Sequence, residues 1–533
     1  MKIGILGAGA IGKTLIQRLR GAGHDVKFAN SRGPETIKAD VLSLSGRAVT
    51  SRAAVYDFDV VRLSRPALVP TLSFAFMSFP TSLFAQDANG GAYSRPTNLS
   101  SSEAPEVPQS ATEVDTTPRP STKWNDPATV RAKNWGPGGS LSPSLEDPLL
   151  GDIGGIRSAM SDYGIAATIF VSGTQWQNLL NAPTKTNGSQ AYIGQKYTAE
   201  SFEGFIATYD LGHIGFQGGQ IIVDAGCSVS TYLPAYARGC HVINLSLYDS
   251  FFRGRIELSA GIIPNDVEFV DTYVGGNLST GAFGPAGILP VQSGLSQQPG
   301  VAPSLNLTYH FDANWYEKVG VQRSLSPQGV VQEYSHFNRY GLNFSEPNVK
   351  GLVIDEVGFR QTASADKYAT YIRAGGLYNW TRYTNFSTGG TAENWNAYLL
   401  ADQQLTRPEP ARAYRGWYGG FTVMESPSNV NVFRSYYEAR LYDIGPFESR
   451  PEDQLNIVVS HALFSGDAQN FYIKQGVYPP RQDTTSVTLA YAYKLTHSTF
   501  LQSGLAFTNN PSFLTETKQG HDLNCFIAFS TYL

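Results

Sequence analysis

Charged residues are scarce: Asp, Glu, Lys and Arg make up 16% of the 533 positions, against roughly 25% in an average soluble protein. The two signs nearly cancel, with 40 Lys and Arg against 44 Asp and Glu. That balance removes the basic footprint a nucleic-acid partner requires. Cysteine (3) and methionine (4) are rare, and no CxxC or His-rich spacing points to a metal site. No apolar run is long and clean enough for a transmembrane helix, except residues 66–85. That run contains Pro70 and Pro80, which a spanning helix accommodates only with help from its neighbours. What is abundant is Gly (53), Tyr (29) and Phe (29). Such a composition suits a barrel facing lipid and water on alternate residues. It equally suits a secreted β-sandwich or lectin.

The first sixty-six residues have a different character. Lys2–Gly7 is a short apolar strand running into Gly7-Ala8-Gly9-Ala10-Ile11-Gly12 and a helical pattern over 11–19. This is a GxGxxG fingerprint in strand–turn–helix context. Gly7 permits the tight turn, Gly9 lets the backbone approach a pyrophosphate, and Gly12 allows close packing of helix on strand. The helix N-terminus then offers amide donors to phosphate. A second strand, 25–29, ends at Asn30-Ser31-Arg32-Gly33. Ser31 and Arg32 stand where an acidic residue would hold a ribose diol, and they suit the 2′-phosphate of NADP. The segment resembles the start of the NADP-dependent reductases related to the coenzyme-F420-dependent NADP oxidoreductases. The resemblance stops near Pro66, after about four short strands, before any nicotinamide or substrate pocket. Half a parallel sheet with open edges is a poor independent fold. Residues 1–66 therefore read as a truncated, vestigial Rossmann-like fragment. The other reading is an NADP-binding module, which would make the chain an oxidoreductase.

Arg62 and Arg65 precede the uncharged run ending at Ala85, with Leu83 and Ala85 at the −3 and −1 places of a cleavage site. Residues 67–85 thus read as an export signal lying inside the chain. Residues 86–147 are dense in Ser, Thr, Pro and Gly, and cannot bury enough apolar surface to fold. They are expected to be a disordered linker, followed by a short helix in 148–163.

From 164 to 533 the chain alternates with a period of two. Val487, Leu489, Tyr491, Tyr493 and Leu495 share one face, against Ser486, Thr488, Ala490, Ala492 and Lys494. Leu305, Leu307, Tyr309 and Phe311 alternate with Asn306, Thr308 and His310, and Asp312-Ala313-Asn314 reads as a tight hairpin turn. Ile243, Leu245 and Leu247 are assigned to one face, opposite Asn244, Ser246 and Tyr248. Short turns alternate with long loops, as in bacterial outer-membrane barrels, and charged residues on the non-lipid face argue for a wet lumen. At roughly 23 residues per strand and connection the segment yields about sixteen strands, a size that leaves an aqueous channel. Trp176, Trp315, Trp380, Trp395 and Trp417 suit interfacial girdles. Cys227 and Cys240, thirteen positions apart, can pair in an oxidising compartment; two separate thiols are the alternative.

Gly151-Asp152-Ile153-Gly154-Gly155-Ile156-Arg157 resembles the opening signature of the OprB-type carbohydrate-selective porins, which usually carry Trp where this chain has Ile153. Gly261–Phe269 and Arg450–Leu455 resemble two later family segments, in the same order. The resemblance covers residues 146–533. It implies passive diffusion of small sugars across an outer membrane, with no enzymatic chemistry and no cofactor in the barrel. The partners it implies are membrane lipid and sugars, the barrel being a monomer or homotrimer. A sugar path needs aromatic faces for the apolar side of a pyranose and paired charges for its hydroxyls, and rings of charge set ion preference. The candidates are Arg255, Glu257, Asp266, Glu268, Glu356, Arg360, Arg373, Arg415 and Trp417. The rival function for this segment is a non-porin barrel with a plugged lumen.

Overall fold

The computed structural model describes residues 148–180, 194–216, 218–231, 239–272, 274, 289–297, 300–329, 333, 338–476, 480–511, 513 and 520–533, together with three short strands near the start. The chain divides into two compact units, Met1–Ala75 and Phe76–Leu533. In the first, β1 (Lys2–Leu6), β2 (Asp25–Ala29) and β3 (Arg47–Ala48) pair in parallel in that order. Gly7, Gly9, Gly12, Ser31 and Arg32 lie outside the described residues, as do the signal-like segment 67–85 and the whole of the linker 86–147.

The second unit opens with a short helix, α1 (Ile156–Ser161). Sixteen antiparallel strands follow. They are β4 (Ile165–Asn178), β5 (Tyr197–Asp210), β6 (Gln220–Ser230), β7 (Gly239–Phe251), β8 (Ile256–Ile263), β9 (Ala302–His310), β10 (Trp315–Arg323) and β11 (Gly351–Gln361), then β12 (Thr370–Thr384), β13 (Thr391–Gln404), β14 (Gly416–Glu425), β15 (Phe433–Ile444), β16 (Gln454–Phe464), β17 (Asp483–Thr496), β18 (Thr499–Asn509) and β19 (His521–Tyr532). Each pairs with its sequence neighbours, and β19 pairs with β4 to close the barrel. The expected strand number and architecture are therefore those observed. Closure leaves no sheet edge, as a strand protein in lipid requires.

The seam is clasped at one end. Leu533 N donates to the Ile169 carbonyl (2.8 Å), and Thr168 Oγ1 donates to the Leu533 carbonyl (2.8 Å). Arg157 of α1 donates to the same carbonyl and to that of Gly151.

Alternation sets the two faces. Leu305, Leu307 and Tyr309 are 46, 44 and 37% exposed on the outside, whereas Asn306 and Thr308 are buried on the inside. Two expectations fail locally. A bulge between β6 and β7 skips Ile243 in the pairing, Asp224 matching Asn244 and Ala225 matching Val242. The extra residue shifts the parity, so Ile243 is buried while Leu245 and Leu247 face out. Trp176 is 1% exposed and shares its inward parity with Ser172, Thr174 and Asn178, so it is not a girdle residue. Trp315, Trp380 and Trp395 do face outward. Trp315 packs edge-on against its cross-strand partner Phe359 at 5.2 Å, near the short-turn rim.

Connections at one rim are short, as at 252–255, 311–314 and 497–498, and at the other long, as at 264–301, 324–350 and 465–482. In outer-membrane barrels the short turns face the periplasm. The connection between β8 and β9 carries two short helices, α2 (Asn265–Phe269) and α3 (Leu289–Gln292). Its described residues fold into the lumen. Phe269, Leu289 and Leu295 join one apolar cluster with the inward residues Leu352, Ile354, Leu377, Leu400 and Met424.

Candidate functional site: the barrel lumen

The lumenal connection is pinned at both ends. Near the β8–β10 wall, Asn265 Nδ2 donates to Gln322 Oε1 (2.8 Å), and Asn306 Nδ2 donates to Asn265 Oδ1 (2.7 Å). Ser296 Oγ lies 3.0 Å from the same Gln322 oxygen. On the far side, Asn379 Nδ2 donates to the Ser293 carbonyl (2.7 Å), and the Gln292 amide exchanges hydrogen bonds with the Phe433 backbone. Between these anchors Arg373 donates to the Phe269 carbonyl (2.9 Å), and Lys318 donates to that of Glu268 (2.7 Å). Apolar contact on one side and satisfied carbonyls on the other fix the described residues of the insertion against the wall.

Inward positions of β10–β15 carry the charged wall. Glu356 accepts from Tyr316 Oη (2.7 Å) and Tyr398 Oη (3.0 Å). Lys318 also meets Glu268 at 3.5 Å. One turn of the wall further toward the short-turn rim, Arg440 forks onto Asp402 through Nε (2.8 Å) and Nη2 (2.7 Å) and reaches Glu438 at 2.9 Å. Gly420 makes that approach possible: a Cβ there would lie 2.4 Å from Asp402 Oδ1 and 2.6 Å from Arg440 Nε. Tyr442 donates to Asp402 (3.2 Å), and its ring stacks on Tyr418 with 5.0 Å between centroids. Acidic, cationic and aromatic groups thus share one face of the lumen.

The sequence candidates distribute unevenly over this frame. Glu356 and Arg373 lie in the wall beneath the inserted connection, and Arg360 lies nearer the short-turn rim. Asp266 and Glu268 sit on α2 within the inserted connection. Burial, only partly offset by backbone hydrogen bonds, raises the Asp266 carboxyl to about 8. Glu257 points inward on β8 and faces His310 at 3.3 Å, away from the β10–β15 wall. Arg255 is exposed in the short β7–β8 turn. Arg415 lies in the turn before β14 and is committed to the Gly445 carbonyl (2.8 Å) and to Glu409. Trp417 has the outward parity of Phe421, so it faces lipid rather than sugar. Lys318, Asp402, Glu438, Arg440 and the tyrosines 371, 398, 418 and 442 were not among the candidates. Their inward parity on strands already recognisable as strands was the available signal. Cys227 and Cys240 are cross-strand partners on β6 and β7, with Cα atoms 4.0 Å apart, and are joined as a disulfide.

A closed sixteen-stranded barrel with a connection folded into a charged lumen defines an outer-membrane porin, a channel and not an enzyme. The model of the carbohydrate-selective porins, OprB family, matches residues 173–522, more than half of the chain. The chain belongs to the OprB family of carbohydrate-selective porins. Among solved structures, OprB of Pseudomonas putida at high pH shares the fold, with a TM-score of 0.59 and 14% identity over 72% of this chain and 98% of that one. QuiX of Acinetobacter baylyi, named as a porin, is 23% identical over 229 residues, which are 40% of this chain and 51% of that protein. The chain thus spans about half the length of that curated relative. Separately, the model of the coenzyme-F420-dependent NADP oxidoreductases matches residues 2–69.

Proposed function

We propose that the barrel lets small carbohydrates diffuse passively through its lumen. The observation that carries this reading is the β10–β15 wall against which the connection is pinned, where Arg440–Asp402–Glu438 and Glu356–Tyr398 alternate with the stacked Tyr418 and Tyr442. Paired polar groups and aromatic rings along one wall are the kind of lining a sugar path requires. Their mutual pairing keeps each contact modest, as passage rather than retention demands. A barrel of this kind acts alone or as a homotrimer, since the pore lies within each copy. Single-channel recording in a planar bilayer, with glucose as blocker, tests the reading. Stepwise conductance with sugar-dependent block is expected, and no conductance overturns it.

Residues 1–66 are read as a remnant that brings no NADP to the pore, and 67–85 as the export signal, followed by a linker to 147. The mature protein is then expected to begin near Gln86. Edman sequencing of the outer-membrane form checks this. Micromolar NADP binding by calorimetry on the full chain would count against the remnant.

A further inference from the structure

The hairpin turn between β7 and β8 is built from residues that resist its shape. Phe252 and Arg253 hold φ of 53° and 59°, and Gly254 follows at 82°. Gly254 N donates to the Phe251 carbonyl (3.1 Å) and closes the turn. Left-handed φ at both central places is ordinarily met with Asn-Gly, and for a bulky residue such as phenylalanine it is strained. The strain holds up a ring that the protein does not cover. Phe252 is 75% exposed, the most of any large apolar side chain among the described residues. A strained position that presents an uncovered apolar group marks a place where the chain meets something outside itself.

The surroundings identify what is met. Phe251 is exposed and stands in the outward row of Leu245 and Leu247, so the turn continues the lipid-facing wall. Beyond β8 the outward rings of Tyr309 and Phe311 meet edge-on at 5.1 Å, and Trp315 follows on β10. The Arg255 carbonyl accepts from His310 N (2.8 Å), which ties the turn to that aromatic arc. The arc lies at the short-turn rim, the periplasmic side of an outer-membrane barrel. Arg253 and Arg255 are both exposed there and make no ion pair among the described residues. The acids of the two hairpins are engaged with backbone amides: Asp249 accepts from Ser250 N (2.7 Å), and Asp312 from Asn314 N (2.7 Å) and Trp315 N (2.9 Å).

We propose that this turn is a docking site for an anionic phospholipid in the periplasmic leaflet of the outer membrane. The Phe252 ring enters the boundary between headgroups and acyl chains beside the aromatic arc, a level that favours such rings. Arg253 and Arg255 donate to the phosphate, whose oxygens suit a guanidinium fork. A zwitterionic lipid offers the same phosphate but brings its own ammonium. Two cations without a counter-charge therefore select the lipid of net negative charge. The site lies on the outer surface and is independent of what passes through the lumen.

The test is lipid titration of the full chain, folded in detergent, followed by native mass spectrometry with phosphatidylglycerol and with phosphatidylethanolamine. Each variant is first checked for the heat-modifiable gel mobility of a folded barrel. An arginine near an anionic surface contributes about fivefold in affinity. The unaltered barrel is therefore expected to bind phosphatidylglycerol about 25-fold more tightly than phosphatidylethanolamine. Arg253→Gln with Arg255→Gln erases that preference, while the corresponding pair of lysines keeps most of it. Phe252→Gly relieves the turn, so the urea midpoint does not fall, yet both lipids bind more weakly. Equal binding of the two lipids by the unaltered barrel, or undiminished phosphatidylglycerol binding in the double glutamine variant or in Phe252→Gly, overturns the site. An oligomer that the double glutamine variant dissolves, without any lipid preference, assigns the surface to a second copy of the chain and equally overturns it.

Discussion

Replacing Arg440 with methionine removes the shared cation of two carboxylates while keeping most of the volume. The Arg440 side chain is 0% exposed, and those of Asp402 and Glu438 are 8% and 0%. With charge centres about 4 Å apart and an effective dielectric near 20, each attraction is about 4 kcal/mol before the cost of desolvation. Deleting one member of a buried set leaves uncompensated charge, and the usual loss is about 3–5 kcal/mol. The loss is expected toward the lower end here, because Tyr436 (2.6 Å) and Tyr442 (3.2 Å) each still donate to one carboxylate. The assay is urea unfolding in detergent followed by tryptophan fluorescence, with gel mobility as the measure of intact barrel. Adding Asp402→Asn and Glu438→Gln to Arg440→Met is expected to recover most of the stability, since no charge is then stranded. A loss below about 1 kcal/mol for Arg440→Met alone, on the scale of an exposed pair, would refute the argument. It would mean that lumenal water screens the triad far better than its burial suggests.

Other outcomes follow from neighbouring features. Gln322→Ala breaks the bonds from Asn265 and Ser296, each worth about 1 kcal/mol, and is expected to raise single-channel conductance and its noise as the inserted connection loosens. Reducing Cys227–Cys240, thirteen residues apart, is expected to lower stability by about 2–4 kcal/mol, read from unfolding midpoints with and without reductant. Asp266 stands at about 8 in the folded chain against an ordinary 3.8. The folded state thus holds a proton that the unfolded state has released between those values, so stability falls as pH rises through that window. Asp266→Asn is expected to flatten the fall, measured by thermal unfolding at stepped pH.

The barrel was legible in the sequence because strict alternation reports which side of a strand meets lipid. Leu305, Leu307 and Tyr309 needed nothing more. The bulge at Ile243 was not legible, since one inserted residue reverses parity without altering composition. Nor was the inserted connection, whose packing is non-local. A trace of it was present: Leu352-Val353-Ile354 and Tyr398-Leu399-Leu400 are apolar on both faces, which a merely wetted wall would not be. Those inward residues are the ones Phe269 and Leu289 cover. Among the site candidates, Glu356, Arg360 and Arg373 stand at inward positions of their strands, whereas Trp417 has outward parity and Arg415 lies in a turn, a difference that residue type alone does not carry.

The clasp around Leu533 also constrains the order of events in assembly. The bond from Thr168 to that carbonyl spans 365 positions, whereas every other strand pair joins neighbours along the chain. Adjacent hairpins can form early at little entropic expense. The β4–β19 seam must wait until all the rest is in register, and long-range closure of this kind is slow. Until then two unpaired strand edges invite wrong partners. Arg157 and Thr168 therefore act as a latch on the last step. Weakening that latch is expected to prolong the life of the open intermediate more than it alters the finished channel.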